Sequence, residues 1–142
     1  MRKIVVGVDG SAEAAAALSW AYDEAALHGA ELYVIHAWTY PWLGPRTNVA
    51  EPRDDLELEA AKLLQREVQG IVEAKGGSVK LHPQLSERPP AEALIAEGKD
   101  ADLLVVGSRG RGGFAALLLG SVSHQVAQHA PCPVAVIRAP EA

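Results

Sequence analysis

Gly107, Ser108, Arg109 and Gly110 are followed, after nine intervening residues, by Gly120 and Ser121. Glycines at such positions let the backbone come close to a ligand, and a helix starting at Gly120 offers unpaired N–H groups to an anion. The chemistry suited to this pattern is the cradling of phosphates. The N–H groups of Gly107 to Gly113 and of Gly120 to Ser123, the second set aided by the helix dipole, would point at phosphate oxygens, and the Ser121 hydroxyl would add a donor. Each hydrogen bond to a charged group contributes roughly 1.5–3 kcal/mol, so a few well-aimed amides support micromolar binding without a lysine. Asp9, beside Gly10 and Ser11, has two readings: a contact to a ribose hydroxyl or to a magnesium ion on the phosphates, or a loop residue that caps the next helix. Arg109 reads as a phosphate partner and Arg111 as a solvated neighbour. Ser108, Gly112 and Gly113 complete the candidate loop.

The elements that must position these residues alternate along the chain. Lys3 to Val8 is a short apolar run of the kind found in a parallel strand covered on both faces. Ser11 then caps a helix carrying Ala15, Leu18, Tyr22 and Ala25, which Gly29 ends. Glu31 to Ala37 is a second strand, and Trp38 to Pro52 has the composition of a long loop. A second helix follows through Leu56, Ala60, Leu63, Leu64, Val68, Ile71 and Val72 to Gly76. Ser78 to Leu85 is a third strand, and Pro89 and Pro90 lead into a short helix that stops near Gly98. Asp102 to Gly107 is a central strand, the glycine-rich segment and a last helix come next, and Val134 to Arg138 is a final strand. This order predicts one α/β domain over residues 1–142: a three-layer, doubly wound fold with five parallel strands and four helices. Ligands in such sheets sit beyond the carboxyl ends of the strands where the strand order reverses, which gathers Asp9, Ala37 and Gly107 around one crevice.

Bulk properties narrow the partners. The formal charge of −5 and pI near 5.5 argue against a nucleic-acid partner, because no basic face is available to neutralise a phosphate backbone. No apolar run is long enough for a membrane span, and Asp9 cuts short the only stretch resembling a leader, so a cytoplasmic location is expected. The lone Cys132 permits no internal disulfide and reads as a small buried residue.

Competing motifs fit less well. Gly110, Gly112 and Ala115 match the loose dinucleotide pattern G-x-G-x-x-A, but Arg138 ends the next strand where that pattern requires an acid. The lysine-bearing P-loop pattern is absent.

The glycine constellation resembles the nucleotide motif of the universal stress protein family. Ile4 to Ser11, Val34 to Trp38, Gly120 to Ser123 and Ala130 to Val134 extend that resemblance over the whole chain. It implies the strand order 3-2-1-4-5, an adenine nucleotide held as ATP with magnesium or manganese, and a homodimer joined through Val134 to Arg138. By the resemblance, Asp9 lies on the ribose or metal side and Ala37 meets adenine through its backbone. Gly107, Arg109, Gly110, Gly120, Ser121, Val122 and Ser123 surround the phosphates.

Catalysis would need a positioned base. His36 reads as a satisfied core or rim histidine in a strand, His28, His82, His124 and His129 show no shared acidic partner, and Ser121 with His124 lacks an orienting carboxylate. The expectation is therefore a nucleotide-dependent stress-response switch. The alternatives are a slow magnesium-dependent ATP hydrolase and an adaptor holding AMP.

Overall fold

The structure is a computed structural model that describes residues 1–40, 52–109 and 119–140. β1 (Lys3–Gly7), α1 (Ala12–His28), β2 (Glu31–Trp38), α2 (Arg53–Lys75), β3 (Leu81–Glu87), α3 (Pro90–Glu97), β4 (Leu103–Gly107), α4 (Ser121–His129) and β5 (Val134–Ile137) follow one another, with a 3-10 turn at Gly98–Asp100. The five strands form one parallel sheet in the order β3-β2-β1-β4-β5, as the resemblance implied.

Alternation along the strands builds two cores. Ile4, Val6, Leu32, Val34 and Val105 point to one face, where α1 and α2 cover them with Ala17, Leu18, Ala21, Tyr22, Leu64 and Ile71. Val5, Ile35, Leu104 and Val106 point to the other, under Ala91 and Leu94 of α3 and Val126 of α4. A buried aliphatic side chain of this size stabilises by about 1.5–3 kcal/mol relative to exposure, so residues 4–6 and 103–106 anchor the centre of the sheet. The alanine face of α1 lets that helix lie close over β1 and β4. The Tyr22 hydroxyl donates to the Gly76 carbonyl at 2.7 Å and ties α1 to the end of α2.

Two expectations shift. The third strand runs Leu81–Glu87 rather than Ser78 to Leu85, and it contains Pro83, paired in register with Val34. Proline has no N–H for a ladder, and an edge position tolerates that loss. The weak burial alternation of this edge strand is why its bounds are hard to read. His82 does have an acidic partner: its Nε2 lies 2.6 Å from the Glu31 carboxylate, and its ring stacks on Tyr33 with centroids 4.3 Å apart. That hydrogen bond is the main cause holding the Glu31 carboxyl below the usual carboxylate range. This group lies toward the amino ends of the strands, away from the crevice.

Among the described residues, no helix is long and apolar enough to cross a membrane.

Candidate functional site

β1 and β4 are neighbours at the strand-order reversal, so the segments leaving them lie side by side. After β1 the chain turns through Gly10, whose φ of 83° lies in the left-handed region that favours glycine. The turn brings the Ser11 N–H onto Asp9 Oδ1 at 2.9 Å, and the Ser11 hydroxyl oxygen accepts the Ala14 N–H at 3.2 Å. Ser11 therefore caps α1 as expected. Asp9 is half-buried and orders that cap.

After β4 the key residue is Ser108, which is 4% exposed. Its N–H donates to the Ile137 carbonyl at 2.7 Å and its hydroxyl to Glu13 Oε2 at 2.9 Å. Its carbonyl accepts the Gly120 N–H at 2.7 Å and the Ser123 hydroxyl at 2.9 Å. This corrects the expectation that Ser108 offers a donor to phosphate, because both of its donors are engaged inside the protein. The Ser123 hydroxyl likewise turns inward, toward the Ser108 and Gly120 carbonyls. Gly107 has a packing reason of its own to be glycine. A Cβ there would lie 2.8 Å from the main-chain carbonyl carbon of Glu13, so the space is filled by the first turn of α1.

α4 begins at Gly120, whose φ of −70° and ψ of 169° are extended and whose position supplies no side-chain cap. Among the described residues, nothing caps the first-turn N–H groups of α4, on Ser121, Val122 and Ser123, which lie next to the end of β4, fixed there by Ser108. Ala37 lies near the end of β2, paired in register with Ser86. Arg109 is the last described residue after β4, while Gly110, Arg111, Gly112 and Gly113 lie outside the described residues, as does most of the Trp38 to Pro52 loop.

Sequence reasoning missed two carboxylates. Glu13 reads as an ordinary acid in a first helical turn, and nothing in the sequence says that it faces Ser108 and the Ala139 N–H, which it accepts at 2.6 Å. Glu67 had a visible signal. It sits at helical spacing within the stripe Ala60, Leu63, Leu64 and Ile71, so a charge falls on the inward face of α2. Its carboxyl is raised above the ordinary value, first by burial and then by the negative charge of Asp9, with Arg66 and His36 acting the other way. The His36 Nδ1 lies 2.8 Å from the Val8 carbonyl, which can only accept, so that nitrogen carries the proton and the ring is held at the rim of the sheet.

The site therefore consists of a capped turn after β1, an anchored turn after β4 and the uncapped start of α4. Among the described residues, no group of three or more His, Cys, Asp or Glu side chains forms a metal site.

A family model described as the universal stress protein family matches residues 1–138. The chain belongs to the universal stress protein family. A family member from Mycolicibacterium smegmatis is 40% identical over 139 residues, covering 95% of this chain and 45% of the relative. The chain thus spans about half the length of the curated relatives it matches. Among solved structures, a universal stress protein in complex with cAMP superposes with a TM-score of 0.72 at 27% identity, covering 98% of each chain. The universal stress protein from Archaeoglobus fulgidus in complex with dAMP gives a TM-score of 0.70 at 29% identity, covering 96% of this chain and 98% of the other.

Proposed function

We propose that this universal stress protein domain, residues 1–142, binds an adenine nucleotide in the crevice between the ends of β1 and β4 and acts as a nucleotide-dependent switch in a stress response. The observation that carries the reading is the start of α4. Among the described residues its first-turn amides have no side-chain cap, and they are anchored, through Ser108, at the strand-order reversal. An anion is favoured there by both the unpaired N–H groups and the helix dipole. The backbone N–H groups of Ser121, Val122 and Ser123 then face the phosphates, with the Ser121 hydroxyl and Arg109 beside them. Asp9 faces the ribose or a phosphate-bound ion, and the Ala37 backbone faces the base. Complexes of family members with cAMP and dAMP support adenine as the base.

In the finer form of this reading the ligand is ATP with magnesium or manganese, the location is cytoplasmic, and two copies pair along β5. β5 is a sheet edge whose residues are all partly exposed, which leaves its backbone available for pairing. Holding is read before turnover, because the sequence offers amides for phosphate but no serine–histidine pair with an orienting carboxylate.

Denaturing the purified protein and identifying released nucleotide by mass spectrometry tests the reading, together with melting curves with and without MgATP or AMP. Ligand at 100 times its dissociation constant stabilises by about 2.7 kcal/mol. Gly120→Val is expected to abolish that shift; its backbone conformation suits any residue, but the position is buried, so loss of folding in the variant would show that Gly120 is structural. No released nucleotide and no shift with either ligand would remove the reading. Phosphate release above that of the Gly120→Val variant would instead favour a slow hydrolase.

A further inference from the structure

We propose that Glu13 is a positioning residue for the phosphate-binding segment, and that through it the stretch leaving β5 sets the geometry of that segment. This rests on the nucleotide reading above. A single oxygen, Glu13 Oε2, accepts the Ser108 hydroxyl at 2.9 Å and the Ala139 N–H at 2.6 Å. The same residue meets Gly107 through its main chain, with no space for a Cβ between them. Glu13 therefore holds the turn after β4 by backbone packing on one side and a carboxylate on the other, and it holds the residue two positions beyond β5 at the same time.

The consequence reaches α4. The Ser108 carbonyl fixes both the Gly120 N–H and the Ser123 hydroxyl, so any movement of Ser108 moves the first-turn amides of α4. Without the carboxylate, the buried Ser108 hydroxyl loses the acceptor it has in the structure, and a buried hydroxyl without a partner reorganises its surroundings. Phosphate binding by backbone amides depends on their aim and suffers directly. The base side of the crevice is built from the end of β2, where Glu13 makes no described hydrogen bond, and is left in place. Loss of Glu13 should therefore remove the phosphate contribution to affinity and spare the nucleoside contribution.

Isothermal titration of the full chain with AMP and with adenosine separates the two contributions. Glu13→Ala is expected to weaken AMP about tenfold, the worth of one good hydrogen bond, with adenosine affinity unchanged. Glu13→Gln places one amide oxygen where Oε2 accepts both donors and should restore AMP binding. Ala139→Pro deletes the backbone donor and should weaken AMP by about threefold, less than one full hydrogen bond. If Glu13→Ala does not fold, Ser108→Ala serves with the same readouts. Equal AMP affinity in Glu13→Ala and the unaltered chain, parallel loss of AMP and adenosine, or failure of Glu13→Gln to rescue would each overturn the positioning role. Unchanged AMP affinity in Ala139→Pro would overturn the part assigned to the stretch after β5. If the unaltered chain binds neither AMP nor ATP, the nucleotide reading itself falls, and this proposal with it.

Discussion

The Ser108 carbonyl oxygen accepts the Gly120 N–H at 2.7 Å, which joins the end of β4 to the start of α4 across the intervening glycine-rich segment. The end of β4 and the start of α4 are thus joined directly, on either side of residues 110–118. The Ser123 hydroxyl reinforces the joint by donating to the same carbonyl.

Ser123→Ala should show what that reinforcement contributes. Ser123 is 2% exposed, and the mutation removes one donor while the Ser108 carbonyl keeps the Gly120 N–H. We expect a loss of about 1 kcal/mol, seen as a melting temperature lower by roughly 4 °C. An unchanged melting curve would mean that the hydroxyl is dispensable to the joint.

Gly107→Ala tests the close approach of α1. A methyl group there would sit 2.8 Å from main-chain atoms of Glu13, which cannot swing away as a flexible side chain does. The expected cost is about 1–3 kcal/mol in denaturant melts, from displacement of the first turn of α1. Full stability would show that the helix shifts at no cost.

Glu67→Gln should stabilise the protein, and only above acid pH. The folded-state carboxyl lies above the ordinary value of 4.5 because burial and Asp9 oppose its charge. The destabilisation is fully present above the folded pKa and disappears below the unfolded one. The variant should therefore melt higher than the unaltered chain at neutral pH, with the difference closing by about pH 4. A pH-independent difference would point to packing instead.

Asp102→Asn has the opposite sign. Asp102 accepts the N–H groups of Arg2 at 2.6 Å and Lys3 at 3.0 Å, and these bonds hold its carboxyl below the ordinary value of 3.8. Such a group stabilises above its unfolded pKa, and the contribution is lost as pH falls through the folded one. The variant should melt lower at neutral pH and converge with the unaltered chain below about pH 3.8. Urea melts across that range check this.

The central fold was legible because its signals are local. The runs at residues 3–8 and 102–107 are apolar and β-branched, and Ser11 and Gly29 mark both ends of α1, so these elements lie where the patterns place them. β3 was shifted because an edge strand carries little burial pattern and Lys80 and Pro83 blur its ends. The site residues were legible as types but not always as roles. A glycine that makes room for a ligand and one that makes room for a helix are the same letter, and the 2.8 Å approach of Glu13 to Gly107 is visible only in the fold. Glu13 itself joins parts of the chain distant in sequence, a relation no local pattern encodes.

The pairing of Ile4 with Leu103 in the middle of the sheet has a kinetic meaning. The crevice lies between two strands separated by most of the chain, so it does not exist until that long loop has closed, which is slow to achieve for non-local contacts. On the function proposed above, a nucleotide finds its crevice only once β1 and β4 have met. If that pairing completes only after the folding transition state, ligand should slow unfolding and leave the rate of folding unchanged.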